Sequence, residues 1–409
     1  MAEKSRSKRI LVVVAALVVV AAAVVLTVRL DSGGSSGGAG DAGTIVSSTP
    51  ITGAPAGSAG WRIVYRTTTA DGKPAVSSGT VYVPTTPAPS AGRFVVAWAH
   101  PTLGTGADCT PSQATDPSAA IPGFAQMMTN GWVVTSTDYT GLGTEGTLPY
   151  LIGAGEARNV IDSVRAARTL PGTDAGTTYA VWGHSQGGHA SLFTADEATT
   201  YGRGLQLVGV AAAAPAAELA ALVNLQWQNY VSWVIGSEVI DLWPEFYPQL
   251  SASQVATPLA IQQSPALSAV CITSNLTALL QQFGSVLTQP FFSVDPTTVP
   301  AWLTQFQTNT PQPASGVPVY IAQGLQDDVV LPSTTALLDT QWCGQGSELT
   351  VQWYPTATHF TVPTVAAPSA VNWLAQVFGG QSPGSTCSQT PPVAPATPAT
   401  TPATTASAN

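Results

Sequence analysis

The chain has 409 residues, only 9% of them charged, with 22 acidic against 13 basic side chains and a formal net charge of −9. Every lysine and arginine lies at or before Arg203, so the second half carries acids with no cation. It repels polyanions and gains nothing from anionic headgroups. Nucleic acid is thereby excluded as an expected partner, and neutral ligands are expected over acidic ones.

Lys4, Arg6, Lys8 and Arg9 precede an uncharged run, Ile10 to Val28, which as a helix would be about 28 Å long, close to the bilayer core. Positive charge before such a run keeps the N-terminus in the cytoplasm. Residues 1–30 therefore read as a signal anchor or a signal peptide, and in either case the rest of the chain is exported. Left uncleaved, the segment would hold the protein at a membrane. Residues 31–44, rich in Gly, Ser and Ala, read as a flexible linker.

Residues 45–387, about 340 in all, suffice for one large domain. Aliphatic strands alternate with helical patterns there, which predicts an α/β fold: a mostly parallel central sheet with helices on both faces. Phe94 to Ala99 reads as a strand, and His100-Pro101-Thr102-Leu103-Gly104-Thr105-Gly106 as its loop. A helix is expected around Arg158 to Arg168. Thr178 to Trp182 reads as a strand running into Gly183-His184-Ser185-Gln186-Gly187, with a helix from Ala190 to Ala198. Another strand covers Leu207 to Ala213. An insertion at about 216–312 follows, too long for an ordinary connection and expected to be a mainly helical cap. Its aromatics, Trp227, Tyr230, Trp233, Trp243, Phe246, Tyr247, Phe291, Phe292 and Trp302, are expected to form the cap's own core or to line an apolar pocket. Strands at Val317 to Ala322 and Leu349 to Tyr354 complete the sheet. Residues 388–409, rich in Pro, Ala and Thr, read as an extended, disordered tail, and Asn275-Leu276-Thr277 is an N-glycosylation sequon.

The pentapeptide at Ser185 has the form of a nucleophile turn. A strand reversing sharply into a helix strains the residue at the bend, and side chains on either flank would collide, so glycines stand at Gly183 and Gly187. Serine is a weak nucleophile at neutral pH and needs a histidine to take its proton and a carboxylate to hold that histidine. His100 and His184 precede Ser185, and His189 lies four residues beyond it on the expected helix, directed away from the bend. His359, just after the last strand, remains. Asp327 and Asp328 both follow the Val317 strand and compete for the acid's role. The oxyanion requires two backbone N–H donors. One is expected from Gln186 at the helix N-terminus. The other comes from the loop after Ala99, where Pro101 has no N–H and Thr102 is the residue expected. The cysteine spacing does not match a zinc site, and phosphate-loop, dinucleotide and paired-carboxylate motifs are missing. No metal and no cofactor are expected.

These landmarks, with Cys109-Thr110-Pro111-Ser112 and Asp138-Tyr139-Thr140-Gly141-Leu142-Gly143, make the chain resemble the secretory lipase family, α/β-hydrolases of yeasts and actinobacteria. The resemblance covers about residues 45 to 387. Spacing in related hydrolases puts the acid three residues after the strand-end glycine, Gly324, and so selects Asp327. Four cysteines in an exported chain allow three pairings, of which the resemblance implies Cys109 with Cys271 and Cys343 with Cys387. It also implies hydrolysis of carboxylic esters, often of long acyl chains, by way of an acyl-enzyme. The same residues would serve an acyltransferase, and an inactive envelope-binding module could keep the same fold. Oligomeric state is left open.

Overall fold

A computed structural model describes residues 41–272, 284–313 and 316–399. The expected N-terminal segment 1–30, the linker up to residue 40, the sequon at Asn275 and the end of the tail lie outside the described residues. Among the described residues no helix is long and apolar enough to cross a membrane.

The described residues form a nine-stranded sheet. In chain order its strands are β1 (Ile45–Pro50), β2 (Ser58–Thr68), β3 (Pro74–Pro84), β4 (Arg93–Ala99), β5 (Val133–Thr137), β6 (Ala175–His184), β7 (Gln206–Ala213), β8 (Val319–Gly324) and β9 (Leu349–Tyr354). In space they run β1-β2-β3-β5-β4-β6-β7-β8-β9. The pairs from β1 through β3 to β5 are antiparallel and the remaining pairs parallel. The parallel part is buried on both sides because successive side chains point to opposite faces. On β7, Val210 and Ala212 cluster with Leu192 and Trp342, while Ala211 and Ala213 belong to the cluster that holds Trp373 and Leu374.

Helices α1 (Phe124–Thr129), α2 (Gly153–Thr169) and α3 (Gln186–Glu197) follow β4, β5 and β6. Between β7 and β8 lies the expected insertion, containing α4 (Leu219–Gln226), α5 (Val231–Phe246), α6 (Pro258–Ser268) and α7 (Pro300–Thr308). After β8 and β9 come α8 (Pro332–Gly344) and α9 (Val362–Phe378). The second of these packs with α1, and α2 packs with α3. Leu192 of α3 and Trp342 of α8 share the face opposite Trp373 of α9.

Local chemistry starts and holds the cap helices. Pro258 opens α6, and the Thr257 hydroxyl accepts the Ala260 amide at 3.2 Å, a cap that supplies a partner for an otherwise orphaned N–H. The aromatics meet both sequence expectations. Trp302 is fully buried and stacks on Trp243 at 6.2 Å, and Trp233 meets Phe291 edge-on at 5.0 Å. Trp243 and Phe292 also face a cavity beside Ser185. Replacing such an indole with alanine costs about 3–5 kcal/mol.

Two disulfides pair Cys109 with Cys271 and Cys343 with Cys387, as the resemblance implied. Both ends of the domain extend the sequence reading. Residues 41–44, read as linker, are already fastened to the sheet through Gly43 N–H to Arg66 O at 2.8 Å. Residues 388–399 of the tail have no helix or strand, yet the Ala396 amide donates to Ser333 O at 2.8 Å and Ala399 packs on the core.

Candidate active site

β6 ends at His184 and α3 begins at Gln186, which leaves Ser185 alone at the bend. Its backbone, at φ 56° and ψ −116°, lies outside the regions that side-chain-bearing residues favour. Backbone crowding explains the glycines. A Cβ on Gly187 would fall 1.9 Å from Ala99 O, and one on Gly183 would fall 2.1 Å from Gly187 O. The Ser185 amide donates to Ala213 O at 2.9 Å, and its carbonyl accepts the amides of His189 and Ala216. The strained residue is therefore fixed from three sides.

His359 lies in the loop between β9 and α9. Its Nε2 is 3.0 Å from Ser185 Oγ and its Nδ1 is 2.9 Å from Asp327 Oδ2. The other Asp327 oxygen accepts the amides of Val329 and Val330 at 2.9 and 2.8 Å. One carboxylate thus orients the imidazole and folds its own loop. All three side chains are buried. Asp328, the competing aspartate, is exposed and turns to the cap, where its Oδ2 accepts the hydroxyl of Tyr230 at 2.9 Å.

His184 Nε2 donates to the carbonyl of His359 at 2.9 Å. Burial, and then the neighbouring His359, pushes the His184 pKa well below its usual value, so His184 is a neutral donor that holds the histidine loop.

Thr102 and Gln186 line one cavity together with Ser185. Their amides are bonded to no other described residue. The Thr102 loop is held from behind. Leu103 O accepts the Ile272 amide at 2.9 Å, the Thr105 amide donates to Ser268 O at 2.7 Å, and the Cys109–Cys271 disulfide lies beyond. Asp138 accepts the Ser78 hydroxyl at 2.6 Å and the Ser112 amide at 3.0 Å. Burial raises its pKa.

Two cavities meet at Ser185. The first, about 90 Å³, is narrow and apolar and runs under the cap past Leu219, Leu222, Val239, Trp243 and Phe306. The second, about 570 Å³, is lined by His184, His359, Phe360, Pro363 and Ile121. Thr102, Val231, Ile235 and Val329 border both.

Sequence reasoning missed Tyr150, Glu156, His184 and Asn309 as parts of this site. Tyr150 OH is 3.0 Å from Thr102 Oγ1, and Glu156 bonds both Gln186 and His189. A carboxylate inside the small-residue stretch Gly153-Ala154-Gly155-Glu156-Ala157 was the available signal, because an acid among small residues on a buried helix needs a partner.

A mostly parallel sheet carrying a serine on a strand-to-helix bend, with histidine and aspartate on later loops at the same edge, defines the α/β-hydrolase class. The solved structure of Candida antarctica lipase A shares this fold with a TM-score of 0.68 and 17% identity, over 88% of this chain and 87% of that one. The rice cell wall degrading esterase LipA from Xanthomonas oryzae shares it with a TM-score of 0.67 and 20% identity, over 83% of this chain and 99% of that one. The secretory lipase family model matches residues 121–386. The chain belongs to that family and is a carboxylic ester hydrolase. Among curated relatives, Probable inactive lipase MT1628 of Mycobacterium tuberculosis is 24% identical over 340 residues, 78% of this chain and 74% of that protein. Lipase A of Arthroderma benhamiae is 25% identical over 257 residues, 61% of this chain and 54% of that protein. This chain therefore matches about half of that second relative's length.

Proposed function

We propose that the protein is an exported serine esterase of lipase type that works through Ser185, His359 and Asp327 on neutral, lipid-like esters. His359 Nε2 takes the Ser185 proton as Oγ bonds to the ester carbonyl carbon. The oxyanion so formed is held by the Thr102 and Gln186 amides, and Asp327 stabilises the imidazolium. On collapse the carbon–alkoxide bond breaks, and the leaving oxygen takes the proton from Nε2. Water, deprotonated by the same nitrogen, then bonds to the acyl carbon; the carbon–Oγ bond breaks, Oγ takes the proton back from Nε2, and the acid leaves.

The observation that carries this reading is the Ser185–His359–Asp327 chain, at 3.0 and 2.9 Å, set where two apolar cavities meet. Proton delivery also supports a placement of the two halves of the substrate. The leaving alcohol must lie within reach of Nε2, and His359 borders only the wide cavity of the two. The acyl chain then occupies the narrow one beside Gln186, which favours an unbranched chain. The absence of any lysine or arginine beyond Arg203 favours uncharged substrates. Export is supported by the two disulfides and the apolar run Ile10 to Val28. Retention at the membrane through that run is part of the same proposal and is read by fractionating the full chain.

The test is hydrolysis of p-nitrophenyl esters from acetyl to palmitoyl by wild type and Ser185→Ala. The variant is expected to lose on the order of 10³-fold or more in kcat. Equal inertness of both proteins would overturn the hydrolase reading in favour of an inactive binding module. Room for a second alcohol in the wide cavity beside His359 favours one alternative, acyl transfer. Product analysis with added alcohol separates a new ester from free acid.

A further inference from the structure

Beneath the nucleophile bend lies a second acid–histidine pair that the reaction scheme above does not use. Glu156 of α2 and His189 of α3 are both fully buried, with Glu156 Oε2 2.9 Å from His189 Nδ1. On the far side of the ring, His189 Nε2 faces the carbonyl of Asn309 at 2.9 Å. A carbonyl only accepts, so Nε2 carries a hydrogen, and a further proton lies between Nδ1 and the carboxylate. Each buried polar atom of the pair has a hydrogen-bond partner, which is what allows it to sit in the interior.

The remaining oxygen of Glu156 is also fully used. Oε1 accepts the side-chain amide of Gln186 at 2.8 Å and the backbone amide of Leu151 at 2.9 Å. Gln186 supplies one of the two proposed oxyanion donors. Leu151 follows Tyr150, whose hydroxyl is 3.0 Å from Thr102 Oγ1, on the residue that supplies the other. Leu151 itself has φ 51°, and Ser185, which lines the same cavity, has φ 56°. Strained backbone of this kind persists only where its surroundings hold it. Both oxyanion donors therefore trace back to one buried carboxylate: Gln186 through its own side chain, Thr102 through Tyr150 and the strained turn.

Resting on the esterase reading above, we infer that Glu156, with His189 as its hydrogen-bond partner, is the positioning residue of the oxyanion hole. It touches neither substrate nor reacting atoms, and it acts by fixing where the Gln186 and Thr102 amides point. Preorganised donors are effective because they need not reorient as charge develops. Loosening them therefore weakens the transition state and leaves the ground state alone.

The experiment compares wild type, Glu156→Gln and Gln186→Met on p-nitrophenyl butyrate. Gln186→Met keeps the backbone N–H and the Glu156–His189 pair, and removes only the tether. Two inhibitors are titrated alongside: a butyl boronic acid, whose tetrahedral adduct on Ser185 places an oxygen in the oxyanion site, and a butyl ether, which lacks that oxygen. Both variants are expected to lose about tenfold or more in kcat and to bind the boronic acid more weakly by the same factor. KM and ether affinity should stay within about twofold. Tyr150→Phe should show a smaller loss of the same kind. The inference is overturned if folded Gln186→Met keeps wild-type kcat and boronic acid affinity, or if KM and ether binding move instead. It is equally overturned if Glu156→Gln loses activity only in proportion to unfolded protein in thermal melts. An inactive wild type would instead defeat the esterase reading, so the two failures are distinguishable.

Discussion

Adjacent residues with the same side chain do different work at the acid loop. Asp327 is buried against His359 and two backbone amides, while Asp328 is exposed and holds Tyr230 of the cap. Asp327→Asn would present the wrong partner to His359 Nδ1–H and disturb the tautomer, so kcat is expected to fall by about 10⁴-fold. Asp328→Ala removes a single exposed hydrogen bond and should change kcat by less than about threefold. Steady-state kinetics on one ester checks both. If the two variants lost activity equally, the assignment of His359's partner would be wrong. From sequence both aspartates remained open. The spacing from Gly324 pointed to Asp327, but only the amides of Val329 and Val330 show why the chain turns there.

Elements were legible where a period or a local cap fixes them, and less so where tertiary crowding overrides propensity. The strand from Leu349 to Tyr354 reads directly from its β-branched and aromatic residues. The nucleophile helix reads as starting at Ala190 but begins at Gln186. Gly187 and Gly188 are poor helix formers, and they are required because Cβ atoms there would strike Ala99 O and Pro215. The Glu156–His189 contact had no sequence period to reveal it, since it arises from α2 packing on α3. At this scale the Cys109–Cys271 link fastens the Thr102 loop to the end of α6 across 162 residues of sequence. A loop that long makes the cross-link worth about 2–5 kcal/mol. The double variant Cys109→Ser/Cys271→Ser should melt at lower temperature and also lose kcat, because the freed loop carries a proposed oxyanion donor. Melting curves and kinetics on the same preparation test this, and an unchanged kcat would separate the disulfide from the site.

Across the whole molecule, acids without cations shape the response to pH. Burial pushes Glu218 up to about 7, Asp241 and Asp339 up to about 6, and Glu238 well above the usual range. Asp196 is likewise pushed up to about 6. Each binds its proton more tightly folded than unfolded, so the folded state is favoured while they stay protonated. That advantage is lost as pH rises from the ordinary carboxyl range through 6 to 7. Buried neutral His184 acts with the opposite sign over the same window, so the carboxyl contribution is read as a difference: relative to Glu218→Gln, wild type is expected to lose melting temperature as pH rises through about 7. An identical pH dependence of the two proteins would contradict this account.

The cation-free half of the chain also decides where a protease can cut. The cap, the acid loop, His359 and the Cys343–Cys387 link all lie beyond Arg203. A trypsin-like protease, whose pocket reads lysine or arginine, finds no bond to cut anywhere in that half, folded or unfolded. Nicks can fall only in the first half, and the Cys109–Cys271 bond keeps the chain segment that carries Cys109 tethered to the cap. Digestion of this kind is confined to the half of the protein that supplies Ser185, and leaves the half that supplies its histidine and acid as one fragment.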